Sequence, residues 1–376
     1  MLSEVKLEAF KCFDEASLPL RPLTLLSGLN GGGKSSVLQA MVLLAQTLRF
    51  REWGRGLLLE TQDLALGTAA DIINHRTARK TLSLGLASDG EEVMWTFKAG
   101  GRRALVVDLH EVRLGGVEQS LDGAVRWLLP ESQAMSSKVV AALRRLSWIS
   151  AERSGPRELL PLRDPESHFG VGARGELAAG LLHWHEDERV TEELCLAGVP
   201  PTLFNQVRGR MQTFFPGCDV RVTPVDGASA VSLGLRTNAA SNFQRPQNVG
   251  FGLTQLFPVI VALLAARKDD IILVENPEVH LHPRAQQDIG LLIAAVASSG
   301  VQVVVETHSD HVLNGIRLAV KTKAIGCTDV AVHFFGAPQS NGEVMMSSPA
   351  IDADGRLSAW PEGFFDQFDQ ALSRLL

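Results

Sequence analysis

An apolar run at residues 23–26 ends in Ser27-Gly28, and the chain then reads Gly28-Leu29-Asn30-Gly31-Gly32-Gly33-Lys34-Ser35 before a stretch of helical spacing. Nothing else in the 376 residues constrains the fold as strongly. The octet matches GxxxxGK[ST] in the setting that motif requires, after a strand and at the opening of a helix. Glycines at these places let backbone N–H groups wrap phosphate oxygens without Cβ clashes, and the helix N-terminus adds partial positive charge. The expected phosphate contacts are therefore Asn30, Gly31, Gly32, Gly33, Lys34, Ser35 and Ser36, with Lys34 reaching the β- and γ-phosphates and the Ser35 hydroxyl on Mg2+. Residues 34–48 place Val37, Met41, Leu44 and Leu48 on one side of the helix that follows.

The rest of the chain predicts an α/β fold around that unit. Residues 5–10 and 23–26 read as strands. Residues 81–109 are β-rich, broken at Asp89-Gly90 and Gly100-Gly101 as hairpins are. Residues 121–146 read as mainly helical apart from Pro130, 156–170 as a loop, 175–215 as a helical lobe, and 220–235 as β-rich. From 253 onward strand and helix alternate (253–267, 271–275, 285–298, 301–306, 311–320, 330–335), which predicts a parallel sheet.

Composition narrows the function classes. Apolar residues are 45% and charged ones 21%, enough to bury a sizeable core and incompatible with a disordered chain. The net charge of −6 carries no global basic field for nucleic acid or an anionic membrane. The longest apolar stretch, 256–266, is short of the roughly 18 residues of a membrane helix. The opening MLSEVKLEAFKCF lacks the apolar core of a secretory signal. Cys12, Cys195, Cys218 and Cys327 lie far apart with no CxxC, which fits a reduced compartment and no structural zinc. The expected location is the cytoplasm, with no membrane partner. Tyrosine is absent, so any base stacking would fall to Phe, Trp, His or Arg.

Three further motifs carry chemistry. Ile271-Ile272-Leu273-Val274-Glu275 is a buried-type strand ending in an acid, suited to hold Mg2+ near a phosphate loop. Residues 301–306 form a second apolar strand that delivers Thr307 and His308 to its carboxyl end, the edge where parallel sheets bind ligands. Asn248-Val249-Gly250-Phe251-Gly252-Leu253-Thr254-Gln255 enters an apolar helix; Gly250, Gly252 and Thr254 there form either a second phosphate contact or a simple helix cap.

In this order the motifs resemble the ATP-binding-cassette ATPases of the SMC/RecF/OLD group. More narrowly, VGFGLTQLFPVIVALL, ILVENPEVHLHPRAQ, VQVVVETHSDHVLNGIR, SAERSGPRE and the ending DADGRLSAWPEGFFDQ are similar to a family of short bacterial ATPases. That family has a C-terminal domain of unknown function and is often encoded in phage-defence operons. The resemblance implies an ABC-type ATPase head, a P-loop NTPase of α/β class with a β-rich N-terminal lobe and an inserted helical lobe. It implies the segments 1–171 (phosphate-loop lobe), 172–216 (helical lobe), 217–335 (signature, acid and switch histidine) and 336–376 (family-specific). It gives Lys34 and Ser35 to phosphate and Mg2+, Glu275 to the metal, Gly250, Gly252 and Thr254 to a partner's nucleotide, and His308 to the switch. His282 falls in the D-loop-like turn, and Arg153 in the Q-loop region. It implies ATP and Mg2+ as ligands, a homodimer on ATP binding, and an effector partner, nuclease or toxin, encoded nearby.

One departure bears on mechanism. The larger class places a water-activating Glu directly after the metal-binding acid, and here that residue is Asn276, whose amide is no useful base. The nearest other carboxylate, Glu278, is the expected base, and hydrolysis is expected to be slow. Two other functions fit the same motifs: a RecF-like clamp acting on DNA, and a nucleotide-locked scaffold. The basic clusters Arg49/Arg51/Arg55, Arg76/Arg79/Lys80, Arg102/Arg103, Arg144/Arg145 and Arg208/Arg210 read as solvated surface, or as a DNA-backbone groove if a dimer aligns them. Glu278, His280 and His282 with Glu306, His308 and His311 invite a metal-nuclease reading. Only about 40 residues follow 330–335, few for a nuclease domain, so intrinsic nuclease activity is not expected. His183 and His185 read as a solvated face, and residues 360–365 as a packing anchor.

Overall fold

Side chains of the strand Leu2–Phe10 alternate, with Leu2, Val5, Leu7 and Ala9 buried and Glu4, Lys6 and Glu8 partly exposed. That period of two puts one face of the strand inward. The computed structural model describes residues 1–77, 79–164, 170–339 and 344–361, and they group into two compact units. The first comprises Met1–Leu146, Thr328–Asp352 and the described residues from Leu357; the second comprises Ser147–Cys327 and Ala353–Arg356.

In the first unit, Leu2–Phe10 lies in an antiparallel sheet of order Phe13–Pro19, Leu2–Phe10, Thr81–Ser88, Glu91–Lys98, Val106–Leu114, Gly56–Leu58, with Val117–Glu118 also paired to Val106–Leu114. Asp89 and Gly90 both have positive φ, 47° and 81°, the backbone of the tight turn that matches strand twist. Leu82, Leu84, Leu86, Val93, Trp95 and Phe97 fill the core beneath that hairpin. A second layer pairs Leu23–Gly28 in parallel with Val330–Pro338, Leu23 opposite Val330 and Gly28 opposite Phe335. All but the last residue of Leu23–Gly28 are buried, as in a strand covered on both faces. The helix Lys34–Phe50 packs against Lys138–Arg144 and the neighbouring strands, burying Val37, Leu38, Met41, Leu43 and Leu44.

In the second unit Ile271–Glu275 runs parallel to Gln302–Glu306, from Ile271 opposite Gln302 to Glu275 opposite Glu306, with every residue of both buried. Leu146–Ile149 lies on the other side of Ile271–Glu275. The helix Phe251–Ala265 is buried along nearly its whole length, as an all-round apolar sequence requires. Pro283–Ser298 packs on Asp310–Lys321. Helices Ala178–Trp184 and Leu203–Phe214 lie against a three-stranded sheet ordered Leu159–Pro161, Ala230–Arg236, Asp219–Pro224.

Three segments differ from the sequence expectation. Phe13–Pro19 is a strand of weak propensity, stabilised by pairing with Leu2–Phe10. The stretch 121–146 is helical only at Glu131–Ala134 and Lys138–Arg144. Before them comes a short hairpin, Val125–Arg126 with Leu129–Pro130. Its two loop residues, Trp127 and Leu128, take left-handed φ of 48° and 60°, which both being buried, and the Trp95 indole donating to Leu128 O at 2.9 Å, compensate. Leu159–Pro161, expected in a loop, pairs with Ala230–Ser232. Residues 165–169 of that expected loop and 362–365 of the expected anchor lie outside the described residues; Trp360 is half exposed. Among the described residues no helix is long and apolar enough to cross a membrane.

Candidate functional site

The phosphate-type loop joins Leu23–Gly28 to the helix Lys34–Phe50 in the first unit. Gly28 has φ +134°, and a Cβ there would lie 2.1 Å from the Phe335 carbonyl oxygen, so the parallel strand pairing itself demands glycine. Gly33, at φ +98°, begins the helix; a Cβ on it would meet the Phe13 ring at 2.6 Å and the Cys12 sulfur at 2.8 Å. The loop is fastened by Leu29 N–H donating to Phe335 O at 2.9 Å and Gly32 N–H to Leu29 O at 3.2 Å. Lys34 is buried, and its ammonium donates to the carbonyls of Gly28 at 3.0 Å and Leu29 at 2.8 Å. Leu29, Asn30 and Gly31 are exposed, and Gly33, Ser35 and Ser36 partly so. A turn of this shape at a helix N-terminus is an oxyanion receptor made of backbone.

The second unit carries the candidate acids. Glu275 ends its strand buried, its Oε1 accepting from the Trp148 indole N–H at 3.2 Å and its Oε2 from Ala151 N–H at 3.1 Å. Asn276 follows with φ 44°, and its N–H donates to Glu306 O at 2.7 Å. That left-handed residue turns the chain so that Glu278 folds back under the neighbouring strand end, where its Oε1 accepts His308 N–H at 2.9 Å. Burial raises Glu278 above the ordinary carboxylate range, against the opposing pull of the His308 amide, the Thr307 hydroxyl and the Arg153 charge. Burial raises Glu275 likewise, opposed by Ala151, Trp148 and Arg153. Glu306, in register with Glu275, is buried too.

Arg153 is the cation of this cluster. It is 8% exposed, and one nitrogen, Nη2, donates to Glu275 O at 2.7 Å and Asn276 O at 3.0 Å. Burial lowers its guanidinium to about 10, with the charges of Glu278 and Glu275 opposing. Arg153 Nε and Nη1, Asn276 Oδ1 and Glu278 Oε2 are buried here without a hydrogen-bond partner among the described residues.

The other expected site residues are distributed as follows. His308 lends its backbone to Glu278 while its residue is exposed. His282 caps Pro283–Ser298, its ring nitrogen accepting from Arg284 N–H at 3.4 Å. Thr254 is buried, and its hydroxyl donates back to Phe251 O at 2.8 Å, so it does not cap the helix; Gly250 occupies the cap without a side-chain bond. Gly252 is held against the turn after Glu278, where a Cβ would approach His280 O to 2.7 Å, and Phe251 stands edge-on to the His280 ring at 4.7 Å. Among the described residues no three His, Cys, Asp or Glu side chains gather as a metal-holding group. Arg49 pairs with Asp63 at 3.3 Å and Arg208 with Asp219 at 2.6 Å. Trp148 and the Ala151 amide were invisible in the sequence as partners of Glu275, because only strand adjacency brings them there.

Chemically, the cluster offers one carboxylate with both oxygens tied to N–H donors, Glu275, and one with an oxygen unsatisfied and raised basicity, Glu278. The first suits a fixed ligand position for a hard cation, since its donors are oxygen and its lone pairs are only partly used. The second suits a proton acceptor.

Residues 23–314 match the family model described as "AAA domain, putative AbiEii toxin, Type IV TA system". Residues 325–375 match a second, "Protein of unknown function (DUF3696)". No curated protein matches the chain. Among solved structures, the chain is similar to an Smc head domain with an extended coiled coil bound to the C-terminal domain of ScpA, from Pyrococcus furiosus. That likeness has TM-score 0.55 and 12% identity, covering 100% of this chain and 99% of the other. It is also similar to an Smc head bound to the C-winged helix domain of ScpA, at TM-score 0.54 and 13% identity, covering 93% of this chain and 98% of the other. The chain has the α/β fold of an ABC-type SMC head, and by the match over residues 23–314 it belongs to the AAA-domain family of P-loop ATPases associated with the AbiEii toxin and type IV toxin–antitoxin systems.

Proposed function

We propose that the chain binds Mg·ATP through Asn30–Ser36, hydrolyses it slowly with Glu278 as general base, and uses the ATP-bound homodimer to regulate an effector protein. The observation that carries this reading is the phosphate loop itself, glycine-fastened to Phe335 and heading a 17-residue helix with Lys34 buried at its start. In this reading Ser35 and Glu275 are the residues that would hold Mg2+, whose charge would neutralise the phosphates. Glu278 accepts the proton of the attacking water at its unsatisfied Oε2. His308, exposed at the neighbouring strand end, orients the terminal phosphate. Asn276 cannot share the proton, which keeps turnover slow and the ATP-bound state long-lived.

Support for the partner comes from two sides. The family description names a toxin of a type IV system. Both Smc heads of the same fold were solved with a ScpA domain docked on them. The effector is therefore a separate protein, nuclease or toxin, in defence against foreign DNA, acting in the cytoplasm. Gly250, Gly252 and Thr254 are the proposed contact with the partner protomer's nucleotide. Light scattering of the full chain with Mg·ATPγS tests assembly: a doubling of mass that Lys34→Ala abolishes supports the reading, and a constant mass in both overturns the dimer.

A further inference from the structure

Two basic clusters that stand apart in the sequence, Arg76/Arg79/Lys80 and Arg102/Arg103, are brought together in the first unit. They border a cavity of about 410 Å3. One wall comes from the helix Ala69–Ile72, residues 73–75, Arg79 and Lys80; the other is the turn at residues 99–102, between Glu91–Lys98 and Val106–Leu114. Main-chain bonds fasten the walls to each other. Ala70 N–H donates to Arg102 O at 3.0 Å, and Ala99 N–H to Lys80 O at 3.1 Å. Small side chains at Ala69, Ala70 and Ala99, and none at Gly100 and Gly101, keep the space open. Its size lies within the roughly 300–1,000 Å3 of small-molecule sites.

The charge around this cavity has one sign. Arg79, Lys80 and Arg102 line it together with His75, and among its described lining residues there is no Asp or Glu. Elsewhere in the same unit arginines meet carboxylates: Arg49 with Asp63 at 3.3 Å, Arg76 with Asp14 at 2.9 Å and Arg126 with Glu52 at 2.6 Å. Asp71, the acid of the helix in the first wall, is bound instead to the N–H and hydroxyl of Thr68, each at 2.7 Å. A cleft lined by cations focuses positive potential and concentrates anions. Guanidinium groups match phosphate oxygens in pairs, and an ammonium adds a point charge.

We propose that this cavity binds a small molecule with two phosphate groups on a short neutral body, of the sugar bisphosphate class. Arg79 and Lys80 take one phosphate and Arg102 takes the other. Both walls supply cations, so a ligand charged at both ends satisfies them, whereas a lone phosphate would leave most of the volume empty. None of Asn30–Ser36 lines the cavity, so the site goes beyond the nucleotide reading and does not rest on it.

Calorimetry of the full-length chain with fructose 1,6-bisphosphate as the probe, at about 0.15 M salt, tests the site. Saturable binding of one molecule per chain is expected. Arg79→Gln and Arg102→Gln should each weaken it about tenfold or more, the scale of a lost hydrogen bond to a charged group. Arg103→Gln, at an exposed neighbour that does not line the cavity, should leave it nearly unchanged. Absence of saturable binding, or equal losses in Arg102→Gln and Arg103→Gln, overturns the proposal and makes these cations solvated surface. Fructose 6-phosphate should bind about tenfold more weakly than the bisphosphate, and equal affinity overturns the two-phosphate assignment. Repeating the titration in excess Mg·ATPγS should leave the affinity unchanged; competition would assign the probe to the phosphate loop and overturn the separate site.

Discussion

Lys34 and Arg153 are both buried cations beside candidate chemistry, and they are satisfied in opposite ways. Lys34 rests on the carbonyls of its own loop, in a turn made almost wholly of backbone. Arg153 holds a turn with one nitrogen and keeps two without a partner among the described residues, in a cluster made of side chains that arrive from three separate stretches of the chain. The loop is complete before any ligand arrives, so binding must draw Lys34 from its carbonyls or share it with them. The acidic cluster leaves Arg153 Nε and Nη1 and Glu278 Oε2 buried without a partner among the described residues. The loop therefore depends on glycine geometry and the cluster on burial and register, and different substitutions break each.

The largest effect is expected from Gly28→Ala. The added Cβ would meet the Phe335 carbonyl oxygen at 2.1 Å at φ +134°, and the parallel strands would have to part. A loss of about 3 kcal/mol or more follows from strain and overpacking together, lowering the melting temperature by about 6–12 °C. Gly31→Ala is the control: φ is +77° but no atom lies within 4 Å of the new Cβ, so only the backbone term of roughly 1–2 kcal/mol applies. If the two variants melt together, the loop is not fastened through Phe335.

Next in size is Lys34→Ala. Losing the ammonium should weaken Mg·ATP binding about tenfold or more, as expected for a charge-assisted phosphate contact, with the strand pairing of Gly28 untouched. Unchanged ATP affinity by calorimetry would mean that Lys34 serves only the carbonyls it now holds.

The same contrast explains what the sequence made legible. GLNGGGKS specifies its conformation through residue type, so loop, helix and the parallel character of the strands at 23–28, 271–275, 302–306 and 330–338 all followed from the residues. Asn276 was recognisable as a missing base for the same local reason. The unsatisfied guanidinium of Arg153, the indole of Trp148 on Glu275 and the back-bonded hydroxyl of Thr254 were not recognisable, because each depends on which strands lie side by side and which way a helix turns. The Trp127-Leu128 hairpin was misread as helix because burial of two large apolar side chains overrode the turn preference for Asn and Gly. Phe13–Pro19 was missed because its strand character comes from its partner.

A smaller effect sharpens the electrostatic half of the comparison. Burial raises the Glu278 pKa in the folded chain above its unfolded value. By linkage such a carboxyl favours folding at low pH, and that contribution is lost as pH rises through the folded pKa. Glu278→Gln, neutral at every pH, should therefore melt above wild type at pH 8, and the gap should close as pH falls through the raised range. A gap that instead widens toward acid would show that the Arg153 charge outweighs burial.

The central claim, that Glu278 activates water in place of the acid missing at 276, is tested most directly by the turnover of Glu278→Gln. The substitution keeps the size of the side chain and its bond from His308 N–H while removing basicity. Turnover of Mg·ATP is predicted to fall on the order of a hundredfold, the usual scale of a lost general base, with ATPγS affinity within about threefold of wild type. Wild-type turnover in Glu278→Gln, alongside an inactive His308→Ala, would contradict the account and give the proton to the histidine.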